Sequence, residues 1–213
     1  MQNSVTYKAN HLVPSRRTNE FSYSESGFSL IEVLISIIIL SFGLLGMVGL
    51  QAAALQANRE AKAQSTASSL ARELAEMMRG NKDIGLLTSS NPYFGNFSSP
   101  LTPTATAYCM NVATSTTACA DTTAIANAQM TEWLSRVDSE LPGAKVSICV
   151  DSLPFDPSNG TPRWICTATG TGATTVIKMG WTRGSTNRAL TGANLLDRAT
   201  TPALILPITP GNT

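Results

Sequence analysis

Glu32 is the single ionisable side chain in a run of 23 residues, Phe28 to Leu50, that is otherwise apolar or small, and it stands fifth in that run. A carboxylate inside a segment long enough to cross a bilayer is costly to keep there, and such residues mark function. Gly27 stands directly before the run. Four cysteines lie beyond it, at Cys109, Cys119, Cys149 and Cys166, and no two form a C-x-x-C pair. An even number on the far side of an anchor reads as two disulfides formed in an oxidising compartment, in preference to four buried thiols. Three connectivities are open. Pairing nearest neighbours favours Cys109–Cys119 and Cys149–Cys166, and a loop of the first size contributes about 2–3 kcal/mol.

Other chemistry is thinly represented. The sole histidine, His11, precedes the run. Beyond it there is no basis for His-centred acid–base catalysis or a His-containing zinc site. Ser and Thr abound without a visible nucleophile–base–orienter set. The G-T-G at Gly170–Gly172 lacks the context of a phosphate-binding loop. No cofactor is expected, and an enzyme is the least favoured class. The formal charge is +1. It resides before the run, where Lys8, Arg16 and Arg17 outnumber Glu20 and Glu25. The remainder is neutral and gives no global pull toward nucleic acid or anionic lipid.

The elements that must position these residues begin with the run itself. At 1.5 Å per residue it spans about 35 Å as a helix. It could be a plain transmembrane helix. It could be a secretory signal cut near Ala52-Ala53-Ala54, although an apolar signal core is usually only about 7–15 residues long. Neither reading accounts for Gly before Phe, for Glu in fifth place, or for helix-compatible sequence continuing without a break. No proline occurs between Phe28 and Ile84, and Ala, Gln, Glu, Arg and Leu dominate the second half. One helix from Phe28 to about Lys82 is therefore expected, some 80 Å long. Its second half is amphipathic, with Leu70, Leu74, Met77 and Met78 on one face. Gly80-Asn81 is the stop, and Arg79 suits the negative end of the dipole. Gly43, Gly46 and Gly49 permit close packing or bending in the first half.

The segment G-F-S-L-I-E-V-L-I-S resembles the class III signal of the type IV pilin superfamily. The resemblance implies an α+β pilin fold, with a long N-terminal helix on a small antiparallel, disulfide-bonded sheet head. It implies a cytoplasmic leader, residues 1–27, removed by a prepilin peptidase that cuts between Gly27 and Phe28 and methylates Phe28. It divides the rest into a membrane and assembly half-helix (28–50), an amphipathic half-helix (51–82) and a periplasmic head (83–213). Glu32 would lie one turn from the new Phe28 amine and could pair with that amine in a neighbouring subunit, setting assembly register. The stretch G-L-L-G-M-V-G-L-Q-A-A-A-L-Q-A-N-R-E-A, with L-P-G-A-K-V-S-I-C-V-D-S and V-I-K-M-G-W-T in the head, resembles minor pilins of the PilV type. The implied partners are the peptidase, other minor and major pilins and a PilY-type tip adhesin. The implied location is the inner membrane and then the surface pilus.

Within the head, Ile84 to Asp121 reads as a long loop. Asp121 is a candidate N-cap for a helix whose buried stripe draws on Ile125, Met130, Trp133, Leu134, Val137 and Leu141, ending at Pro142-Gly143. Strands are expected at Lys145–Asp151, Arg163–Thr167 and Thr174–Thr182, with a turn at Asn159-Gly160 and an edge strand at Ala203–Ile208. The first two strands would place Cys149 and Cys166 on neighbours.

Two further function classes stand beside the pilin reading. A minor pseudopilin of a type II secretion system shares its signal and fold. A tip module for DNA or a surface would use Arg163, Lys178, Arg183, Arg188 and Arg198 with Trp164 and Trp181 as stacking rings. Their spacing matches no nucleic-acid motif, so solvated cations and packed tryptophans are favoured.

Overall fold

Helix-forming residues without a proline give the first element. In the computed structural model, which describes residues 27–110, 117–185, 192 and 196–210, helix α1 spans Leu30–Gly80. The chain divides into two compact units, Met1–Val48 and Gly49–Thr213. In the described part of the first, the large apolar side chains are exposed, Phe28 by 84% and Leu40 by 63%.

In the second unit α1 buries one stripe: Ala67, Leu70, Ala71, Leu74, Ala75 and Met78. Met77 is half-buried at its margin. The helix stops at Gly80. Asn81 then donates from Nδ2 to the Thr122 carbonyl (2.8 Å) and to the Tyr93 hydroxyl (3.3 Å). A one-turn helix α2 follows, Lys82–Gly85. Strand β1, Gly95–Ser98, lies where a loop was expected. It has four residues and one buried apolar side chain, Phe97, so no alternation announces it.

Helix α3, Thr122–Glu140, begins at Asp121, whose carboxylate accepts from the Ala124 N–H at 2.7 Å. That bond satisfies one of the free donors of the first turn. Met130, Trp133, Leu134, Val137 and Leu141 are buried, while Ile125 is half-buried. The Trp133 indole N–H donates to the Leu70 carbonyl at 2.9 Å, and Arg136 pairs with Glu73. These contacts bond α3 to α1.

After Pro142-Gly143 come β2 (Lys145–Asp151), β3 (Thr174–Gly180), β4 (Thr182–Gly184), β5 (Leu196–Arg198) and β6 (Leu204–Ile208). The main sheet is antiparallel in the order β1-β2-β3-β6, and β4 and β5 form a separate pair. Val146 opposes Met179, and Ile148 opposes Ile177. These four belong to the same core as the α1 and α3 stripes. The expected strand Thr174–Thr182 thus breaks at Trp181 into β3 and β4.

The expected strand Arg163–Thr167 does not form. Phe155 and Pro162 make one isolated bridge around the Asn159-Gly160 turn, and the chain from Arg163 to Thr167 runs without a ladder. The Arg163 and Ile165 carbonyls accept from Lys178 of β3 and the Thr167 N–H donates to Asp151 of β2, while the Arg163 N–H donates to the Pro154 carbonyl and the Thr167 carbonyl accepts from the Ser152 N–H. Cys109 is bonded to Cys119, and Cys149 to Cys166. The second bridge therefore joins a strand to a covering segment, not two strands.

Candidate functional site

The first candidate site is the start of α1. Gly27, Phe28 and Ser29 precede the helix. The Ser29 carbonyl accepts from the N–H groups of Glu32 (3.0 Å) and Val33 (3.3 Å), which opens the first turn. Glu32 sits in that turn, where a carboxylate complements the positive end of the helix dipole. None of the ion pairs among the described residues involves it. Phe28 is likewise exposed. Residues 1–26, with His11, lie outside the described residues.

Beyond Glu32 the helix suits an apolar medium. The Ser36 and Ser41 hydroxyls donate to the carbonyls of Glu32 and Ile37, both at 2.7 Å, so neither hydroxyl needs an outside partner. Gly43, Gly46 and Gly49 face open space. The most apolar 18-residue window of α1 has a mean hydropathy of 2.6, and none of it is buried in the molecule. An apolar helical surface of this length left uncovered fits a single membrane span.

The second candidate site is the face of the sheet turned away from α1, and sequence reasoning missed its central feature. Lys178, in β3, has no exposed surface and lies 2.6 Å from Asp151 Oδ2, also fully buried. Its ammonium also donates to the carbonyls of Arg163 (2.7 Å) and Ile165 (2.9 Å). Asp151 Oδ1 accepts from the N–H groups of Leu153 and Thr167, each at 2.9 Å. Burial by itself would raise the Asp151 carboxyl. The Lys178 ammonium and the two N–H donors outweigh it and hold the group below the usual carboxylate range. The Cys149–Cys166 bridge lies beside this pair. Trp164 packs over Gly180, where a Cβ would stand only 3.0 Å from the ring. Its indole N–H donates to the Ala199 carbonyl at 3.0 Å, and the Lys145 ammonium sits 4.6 Å from the ring centroid. A charged residue between Ile177 and Met179 was the available signal: it cannot be solvated there if both faces of the strand are covered.

This geometry also disposes of most of the basic set in the C-terminal part. Lys178 is buried. Arg163 donates to the Leu153 carbonyl at 2.9 Å. Arg183 bridges Asp197 (3.1 Å) and Glu60 of α1 (3.7 Å). Asp197 is held below the usual carboxylate range: burial opposes this, but Thr200 and Arg183 prevail. Trp181 is 2% exposed and cannot stack on a base. Arg188 lies outside the described residues. No cluster of three or more potential metal ligands occurs among the described residues.

The architecture is that of an α+β type IV pilin fold: a long N-terminal helix with an apolar first half, and an antiparallel sheet head with two disulfides. Residues 23–48 match the family described as the prokaryotic N-terminal methylation motif. That match marks the N-terminal segment as pilin-like, of the prepilin kind. No curated protein and no solved structure matches the chain.

Proposed function

We propose that this chain is a minor pilin of the PilV type, made as a prepilin, cut between Gly27 and Phe28, methylated on Phe28, and built into a type IV pilus through residues 28–50. The observation that carries the reading is a coincidence in one segment. The methylation motif covers residues 23–48, and from Leu30 onward that stretch is an apolar helix with exposed large side chains and with Glu32 in its first turn. The leader would remain cytoplasmic and the head would enter the periplasm, where its disulfides can form. In the membrane the Phe28 amine would help neutralise Glu32. In the filament Glu32 would pair with the Phe28 amine of a neighbour, and a shielded ion pair of this kind enforces one register because an unpaired partner costs several kcal/mol. Partners would be the peptidase, other pilins and, at the tip, a PilY-type adhesin. The role is structural and not enzymatic.

A pseudopilin of type II secretion is the second reading, since the motif and fold serve both. Deletion in the native host separates them. Loss of surface pili and twitching supports the pilus, and proteins trapped in the periplasm support secretion. Glu32→Ala tests the register role: the variant should be processed normally and enter filaments poorly. Normal incorporation would remove that role.

A further inference from the structure

The groups that hold the buried Lys178–Asp151 pair in place are not spread around the head. The carbonyls of Arg163 and Ile165 and the N–H of Thr167 all come from the few residues around Cys166. Across the bridge, Cys149 stands two residues before Asp151 in β2. One covalent bond thus joins the strand that carries the carboxylate to the segment that completes its surroundings.

We propose that the Cys149–Cys166 disulfide is a redox latch, and that the covering segment 152–167 and the paired ends of β2 and β3 close as one unit only while it is oxidised. The reason lies in what else holds the segment down. Leu153, Phe155 and Ile165 face solvent, with 44%, 49% and 73% of their surface exposed, so their burial does not anchor it. Trp164 is its one large packed side chain. When the segment around Cys166 lifts, Lys178 loses its two carbonyl acceptors and Asp151 loses the Thr167 donor. A buried charge short of partners is strongly unfavourable, so water must enter and the strand ends must part. Loop and strands then open cooperatively. In the opening step a dithiol reductant attacks one sulfur, the S–S bond breaks, two protein thiols form, and the reductant leaves as a disulfide; two electrons pass to the protein. This inference rests on the head alone and does not use the reading of the N-terminal segment.

The test uses the full chain in detergent micelles with Cys109→Ser and Cys119→Ser, so that a reductant acts on one bridge. Amide exchange is followed through β2 and β3, and cleavage at Phe155 by a chymotrypsin-type protease is timed, before and after reduction with dithiothreitol. Reduction should speed cleavage at Phe155 by about tenfold or more and also speed exchange at Lys178 in β3. With Lys178→Met and Asp151→Leu together, reduction should free the segment while β3 stays protected, because no charge is left to hydrate. Unchanged protection at Lys178 on reduction would overturn the proposal. So would a paired variant whose β3 opens just as the parent's does. If the paired variant does not fold, Cys149→Ser with Cys166→Ser gives the same reading without touching the ion pair. Lost β3 protection then supports the latch, and full protection refutes it.

Discussion

The two halves of α1 share one backbone and solve opposite problems. From Leu30 to Leu50 the helix is apolar apart from Glu32, Ser36 and Ser41, and its large apolar side chains are exposed among the described residues. From Ala67 to Met78 it carries one apolar stripe, buried against α3 and the sheet. Its charged residues lie at the margins, as Glu73 does with Arg136. The second half is therefore stabilised by the protein's own core. The exposed apolar surface of the first half suits an apolar medium such as a bilayer or neighbouring helices. The position of an apolar residue around the helix matters in one half and is nearly irrelevant in the other.

That contrast can be broken by substitution. Leu74→Ala should cost the head about 2–5 kcal/mol, because Leu74 is fully buried in the core and truncation leaves a cavity there. Leu40→Ala should change head stability by less than about 0.5 kcal/mol. Thermal or denaturant unfolding of the full chain in detergent checks both. Equal losses at the two sites would mean that the first half is part of the folded core.

Acid sharpens the contrast next. Asp151 and Asp197 both have carboxyls held below their ordinary values in the folded state. Their contribution is fully present above the unfolded carboxyl value of about 3.9, and it is lost as pH falls through the lower folded values. The head should therefore destabilise below about pH 4 while the helical signal of the first half persists. Unfolding followed by circular dichroism across pH 2–6 would show it. A head indifferent to this window would contradict the assigned ion pairs. The smallest effect is expected at Asp121→Ala, which removes the α3 cap and should cost about 1 kcal/mol in the same unfolding assay.

How much of this could be read beforehand depended on whether the cause was local. Helix α1 was legible because its causes are composition and the absence of proline. The Asp121 cap was legible because the acceptor stands directly before its helix. Strand β2 was legible because Val146, Ile148 and Val150 alternate between breakers. β1 was not, since four residues with one apolar side chain carry no period. Arg163–Thr167 has the composition of a strand, yet its carbonyls go to Lys178, a partner that only the folded topology supplies. The same remoteness hid the Lys178–Asp151 pair and made Lys178 and Arg183 look like free surface cations. At the N-terminus the signal was strong in sequence because it is a linear pattern, and the structure adds that the large apolar side chains there are exposed among the described residues.

The central claim is that residues 28–50 become the N-terminal assembly helix of a processed pilin. The most direct test is the intact mass and N-terminal sequence of the protein from membranes of its native host, with a Gly27→Leu variant alongside. The account predicts a chain beginning at N-methylated Phe28, and a variant that keeps its leader. A chain beginning just after Ala54, an intact Met1 start, or normal cleavage of the Gly27 variant would contradict it.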